Sequence, residues 1–175
     1  MDRPQYRALT PDHADCQTSC NLIGRNSVLS SLKEAVKKYL VLAGYAVEDV
    51  GQMNPADRVP YYEAASSLAK ALQSGVYERG IAICGTGAGA SLIINKFKGI
   101  YCVACESVFT AQRISLINNA NVLAMGEKVV SQEMACEMAR EWLNGVWCEG
   151  FDEQRRKNNE RGFQVLQEIE SRHFK

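Results

Sequence analysis

From residue 19 to residue 143, short apolar runs alternate with longer stretches in which apolar residues recur every three or four positions. The runs at 20–24, 45–50, 80–84, 100–105 and 122–125 have the length and composition of strands. The stretches at 29–42, 61–73, 108–117 and 132–143 have helical spacing, Leu29, Leu32, Val36 and Leu40 lining one face of the first. A glycine-rich turn and a short helix to about residue 96 follow the third strand. Five strands, each followed by a helix, predict a parallel sheet covered on both faces, because right-handed crossovers place helices on both sides. The expected fold class is therefore α/β, a three-layer αβα, doubly wound, Rossmann-like arrangement with the common strand order 2-1-3-4-5. Residues 1–18 follow neither period and read as an irregular extension; residues 19–175 read as one domain. The charged tail at 152–174 carries Phe163, Leu166 and Ile169 at helical spacing and reads as a surface-docked helix.

Charge and composition narrow the partners. The 175 residues contain 20 Lys and Arg against 20 Asp and Glu, so no basic excess exists to neutralise a nucleic-acid backbone, and no nucleic-acid partner is expected. No apolar run approaches the roughly 20 residues that span a bilayer, and the polar start lacks an apolar signal core. No membrane association is expected, and the protein reads as cytoplasmic. Its 7 cysteines are odd in number and scattered, as reduced thiols are.

In an open parallel sheet, ligands bind outside the carboxyl ends of the strands where the strand order reverses, here between strands one and three. The loops expected there are Gly24-Arg25-Asn26-Ser27 and Cys84-Gly85-Thr86-Gly87-Ala88-Gly89-Ala90. Three glycines within five residues let successive backbone N–H groups converge without Cβ obstruction, forming a hole for a phosphate or an enolate oxygen. Cys84 ends the third strand beside those amides, a position that favours the thiolate and suits a nucleophile or a base; burial as a small core residue is the competing role. Gly85 to Ala90 also satisfies G-x-G-x-x-G/A, with Glu106 about twenty residues on, the pattern of a dinucleotide-binding turn. Against that, the turn follows the third strand, its helix is short and no second domain is present. Cys102 and Cys105 form a nominal C-x-x-C, but residues three apart on a strand face opposite ways and read as core.

The segment 80–96, Gly-Ile-Ala-Ile-Cys-Gly-Thr-Gly-Ala-Gly-Ala-Ser-Leu-Ile-Ile-Asn-Lys, with Gly99-Ile100 and Asn-Asn-Ala-Asn-Val-Leu-Ala-Met-Gly at 118–126, resembles the type B ribose-5-phosphate isomerase and galactose-6-phosphate isomerase family. Residues 33–51 and Val59-Pro60-Tyr61 extend the likeness. The resemblance implies interconversion of phosphorylated aldoses and ketoses through an enediolate, without metal or cofactor. It implies Cys84 as the base, with Thr86 and the loop residues Gly85, Gly87, Ala88 and Gly89 stabilising the enediolate. It further implies Tyr61 as a pocket residue and Asn118 as a ligand of a sugar hydroxyl. The site would lie at a homodimer interface, with the pairing of dimers into tetramers left open. Lys128 stands where the family has a phosphate-binding arginine. Two more such arginines, four residues apart on the last helix, have candidates in Arg155, Arg156 and Arg161 without a clear register; a solvated face is the alternative there.

Two departures bear on the substrate. Arg25-Asn26-Ser27 replaces the family's Ser/Cys-Asp-His, leaving Asn26 and Ser27 as neutral hydrogen-bonding groups. Ile117 stands where the resemblance places a ring-opening histidine, and the chain's 2 histidines are His13 and His173. Ring opening needs a proton donor and acceptor. The expected substrate is thus an open-chain, four-carbon sugar phosphate, with Glu106 as a replacement acid. A non-catalytic sugar-phosphate-binding subunit and a dinucleotide-dependent oxidoreductase are the alternatives.

Overall fold

The computed structural model describes residues 19–23 (backbone only), 31–51 and 59–174. The elements run β1 (Ser19–Ile23), α1 (Ser31–Leu42), β2 (Ala46–Asp49), α2 (Tyr61–Gln73), β3 (Arg79–Cys84), α3 (Ala88–Ile94), β4 (Cys102–Ala104), α4 (Val108–Leu116), β5 (Val122–Gly126), α5 (Gln132–Asn144) and α6 (Glu153–His173). The five strands form one parallel sheet. The expected alternation holds, with ends shifted by one or two residues at several elements.

Alternation along the central strands divides the core. Ile81, Ile83, Leu123 and Met125 point to a face covered by α1, α4 and α5, where they meet Val36, Leu40, Met138 and the fully buried Trp142. Ala82, Cys84, Val122 and Ala124 point to the opposite face, where α2 and α3 contribute Ala64, Ala65, Leu68 and Ile94. Small residues on this second face bring α2 close; a Cβ on Gly80 would lie 3.0 Å from Leu68.

The sheet order is β2-β1-β3-β5-β4, which corrects the expected 2-1-3-4-5 at one edge. Strand β5 lies beside β3, with Cys84 opposite Gly126, and β4 is outermost. The return from β4 to β5 runs back toward β3, so a right-handed crossover places α4 beside α5 rather than beside α3. Both strands are apolar, but every residue of β5 is buried, whereas β4 has three residues and an exposed end. The outer edge of β4 is also protected: Asn95 accepts from the amide of Cys102 and donates to its carbonyl, each at 2.8 Å, as a neighbouring strand would.

Helix α6, capped by Asp152 through the amide of Arg155 at 2.8 Å, buries none of its residues. It docks through Phe163, edge-on to Tyr101 and tilted on Trp147, and through Glu170, which accepts from the amide of Gly99 and the hydroxyl of Tyr101. Leu166 and Ile169, expected on the docking face with Phe163, remain 40% and 48% exposed.

Candidate functional site

At the carboxyl end of β3 the chain turns sharply. Gly87 has φ +80, and a Cβ there would lie 3.1 Å from the carbonyl carbon of Met125, so the position admits glycine with least strain. This conformation brings the amide of Gly87 to 3.1 Å from the sulfur of Cys84. Cys84 is 5% exposed. The carbonyls of Cys84 and Gly85 accept from the amides of Glu127 and Lys128, at 2.8 and 3.0 Å. Thr86 and Ala88 are exposed beside buried Gly85 and Gly87. Tyr61, opening α2, lays its ring on the loop: a Cβ on Gly89 would lie 3.0 Å from the ring's Cε2. Lys128, exposed in the turn after β5, belongs to the same end of the sheet.

The topology separates the other candidates from this cluster. Glu106 is exposed past the end of β4, and β5 lies between it and β3. The acidic residue of a dinucleotide-binding turn belongs on the strand beside that turn, so the G-x-G-x-x-A match loses its partner. Asn118 follows α4 and precedes β5, at the amino end of the sheet, whereas Cys84 is at the carboxyl end. Four residues of strand separate the levels of Gly80 and Cys84, roughly 13 Å. Arg155, Arg156 and Arg161 share the Asn118 end. The Trp147 indole donates to the carbonyl of Ile117, and Arg156 lines a groove with Trp147, Cys148 and Glu160. Arg155 stacks on Phe151, with 3.9 Å to the ring centroid, and Arg161 pairs with Glu168 at 3.0 Å. Within one chain, then, Cys84, Gly85, Thr86, Gly87, Ala88, Gly89, Tyr61 and Lys128 come together, while Asn118 and the three arginines gather at the other end. Asn26 and Ser27 lie outside the described residues, as do Arg25 and the extension 1–18.

The remaining thiols have other surroundings. Cys102 and Cys105 sit in opposite core clusters, as strand geometry requires. Burial pushes the Cys102 thiol far up and that of Cys105 to about 11. Among the described residues no cluster of three or more His, Cys, Asp or Glu side chains could hold a metal ion, and no helix is long and apolar enough to cross a membrane.

Two residues that sequence patterning passed over have defined roles here. Gly126 closes β5 so near the loop that a Cβ would lie 2.7 Å from the carbonyl carbon of Thr86; its signal is a glycine ending an apolar strand run. Arg79, 6% exposed at the start of β3, donates to the carbonyls of Trp142, Leu143 and Gly145 and caps α5. Its signal is a lone cation opening a wholly apolar strand.

Residues 22–160 match the family model described as Ribose/Galactose Isomerase. The chain is 41% identical over 136 residues to a 4-deoxy-4-sulfo-D-erythrose isomerase of a Clostridium species, covering 78% of this chain and 86% of that protein. It is 36% identical over 122 residues to a D-erythrulose-4-phosphate isomerase of Pectobacterium atrosepticum, covering 70% and 80%. Among solved structures, the ribose-5-phosphate isomerase B of Clostridium thermocellum superposes with a TM-score of 0.78 at 30% identity, covering 89% of this chain and 99% of that one.

Proposed function

The chain belongs to the ribose/galactose isomerase family and is a sugar-phosphate isomerase; from that premise we propose that it interconverts a four-carbon, open-chain aldose and its 2-ketose, with Cys84 as the base. The observation that carries this is the 3.1 Å contact between the Gly87 amide and the Cys84 sulfur, at the start of the glycine-rich loop. The Cys84 thiolate takes the proton from C2 of the aldose. The C–H electron pair becomes the C1–C2 double bond, and the carbonyl pair moves onto O1. Amides of residues 85–89 and the Thr86 hydroxyl meet that negative charge. The thiol then returns its proton to C1 while the O2 proton passes to O1, and the ketose results; Glu106, set apart from the loop by β5, takes no part in this exchange within one chain.

A four-carbon substrate is favoured because no histidine stands near the loop among the described residues. Ile117 occupies the histidine position of the resemblance, and His173 ends α6, exposed and distant from the loop. A tetrose with an anionic group on C4 has no hydroxyl left to close a stable ring. Two relatives named for four-carbon substrates support this, one with a 4-sulfo group and one with a 4-phosphate. The substrate of this chain thus carries a terminal phosphate or sulfonate, met by Lys128.

The site is completed by a second copy. Asn118, Arg155, Arg156 and Arg161 cannot reach their own Cys84 loop, but a homodimer that sets the amino end of one sheet against the carboxyl end of the other supplies them across the interface. A reduced Cys84 suits a reducing compartment, the cytoplasm.

The test is a parallel assay of 4-deoxy-4-sulfo-erythrose, erythrulose 4-phosphate and ribose 5-phosphate. A kcat/KM for a four-carbon sugar at least about tenfold above that for ribose 5-phosphate is expected. Equal rates would contradict the open-chain assignment, and binding without turnover would favour a non-catalytic sugar-binding subunit.

A further inference from the structure

Donors that stabilise an enediolate act through being fixed before charge develops, and in this protein the fixing groups lie outside the glycine loop. Strand β5 leaves the sheet beside β3 through a turn in which the carbonyl of Gly126 accepts from Val129 at 3.0 Å and Val130 at 3.1 Å. Within this turn the amides of Glu127 and Lys128 donate to the carbonyls of Cys84 and Gly85. In a trans peptide the C=O and N–H point in opposite directions. Drawing those two carbonyls toward β5 therefore turns the amides of Gly85 and Thr86 the other way, toward the β1 side of β3, where the strand order reverses. The approach depends on Gly126: a Cβ would meet the Cα of Thr86 at 2.8 Å as well as its carbonyl carbon at 2.7 Å.

We propose, on the footing of the isomerase function above, that the exit turn of β5 is the positioning element of the enediolate hole. The backbone amides of Glu127 and Lys128 hold the Cys84-Gly85 and Gly85-Thr86 peptides in the productive orientation, and Gly126 lets them reach. A peptide released from this hold can rotate and present its carbonyl, rather than its amide, to the developing negative charge.

Glu127 offers a substitution that removes one of these amides alone. It is the second residue of the turn, the position where proline is favoured, and among the described non-glycine residues only Asn119 and Cys148 have positive φ, so the φ of Glu127 is negative. Glu127→Pro deletes the donor to Cys84, whereas Glu127→Ala keeps it. The measurements are kcat and KM on the four-carbon substrate that the wild type turns over, inhibition by the corresponding hydroxamate as an enediolate mimic, and thermal melting. E127A is expected to match the wild type within about twofold. E127P is expected to lose about 10²-fold in kcat and in hydroxamate affinity, with KM nearly unchanged and a melting temperature lowered modestly by the lost backbone bond. Wild-type kcat in E127P would overturn the proposal, as would equal losses in kcat, substrate affinity and melting. Should E127P fail to fold, Gly126→Ala, whose Cβ forces the Thr86 backbone away from the turn, is expected to melt lower and to lose more in kcat and hydroxamate affinity than in substrate affinity, with the same refutations. Cys84→Ser separates the two layers: an inactive C84S beside a fully active E127P refutes only the positioning role, while a fully active C84S refutes the isomerase mechanism beneath it.

Discussion

The amide of Gly87 donates to the sulfur of Cys84 across 3.1 Å, and this one bond joins the end of β3 to the start of α3. It exists because Gly87 has a positive φ that a side chain would resist, packed against Met125 and Gly126. The bond ties the nearly buried thiol to the amide that precedes α3. Cys84→Ala should lower isomerisation by about 10²- to 10⁴-fold, the usual contribution of a general base, and leave binding of a non-reacting sugar phosphate within severalfold. Steady-state kinetics and calorimetry check both parts.

Restoring an imidazole should widen the substrate range. Ile117→His is expected to raise kcat/KM for ribose 5-phosphate relative to the four-carbon substrate by about tenfold or more, since ring opening gains a proton donor. An unchanged ratio in competition assays would show that ring opening does not limit the five-carbon reaction.

Subunit mixing tests the proposal that two copies share the site. Cys84→Ala and Asn118→Ala proteins, each inactive alone, should regain about a quarter of wild-type activity after mixed refolding, because half of the dimers are hybrids with one intact site each. No recovery would place Asn118 and Cys84 in separate functions.

Arg79→Leu should cost about 3 kcal/mol in urea denaturation. It removes the guanidinium that donates to the buried carbonyls of Trp142, Leu143 and Gly145 and lies 5.2 Å from the Trp142 ring centroid, although the Gly145 carbonyl keeps the Ser115 hydroxyl at 2.8 Å and the Trp142 carbonyl keeps the Gly145 amide at 3.3 Å. The kcat at low temperature should change little, since the lesion lies at the amino end of β3.

The Cys105 thiol, raised by burial from 9.0 to about 11, links stability to alkaline pH. The folded state holds this proton more tightly than the unfolded chain, so the contribution is fully present below pH 9 and is lost as pH rises from 9 to 11. Denaturation midpoints should fall across that window, and less steeply in Cys105→Ala.

Periodicity alone revealed the five strands, their helices and the glycine loop, because burial on both faces of a parallel sheet imposes those patterns directly. The order of β4 and β5 was not legible, since two apolar strands look alike until Gly126 meets Thr86 and Asn95 covers the outer edge of β4. Strand order also separates Glu106 from the loop. The docking face of α6 was misjudged because its anchors include a polar residue, Glu170, which no apolar stripe reveals. Cys84, Thr86 and the glycines were readable as one local segment. That Asn118 and the arginines lie at the far end of the same sheet depends on chain direction through the fold, and only the assembled topology shows it.

The most direct measurement is deuterium incorporation during isomerisation of the four-carbon aldose in D₂O, read by NMR of the ketose. With Cys84 exchanging its proton with solvent between the two transfers, wild-type protein should place deuterium at C1 of the product, and Cys84→Ser should slow both isomerisation and labelling by at least about 10²-fold. Labelling by the serine variant at the wild-type rate would contradict proton transfer at Cys84.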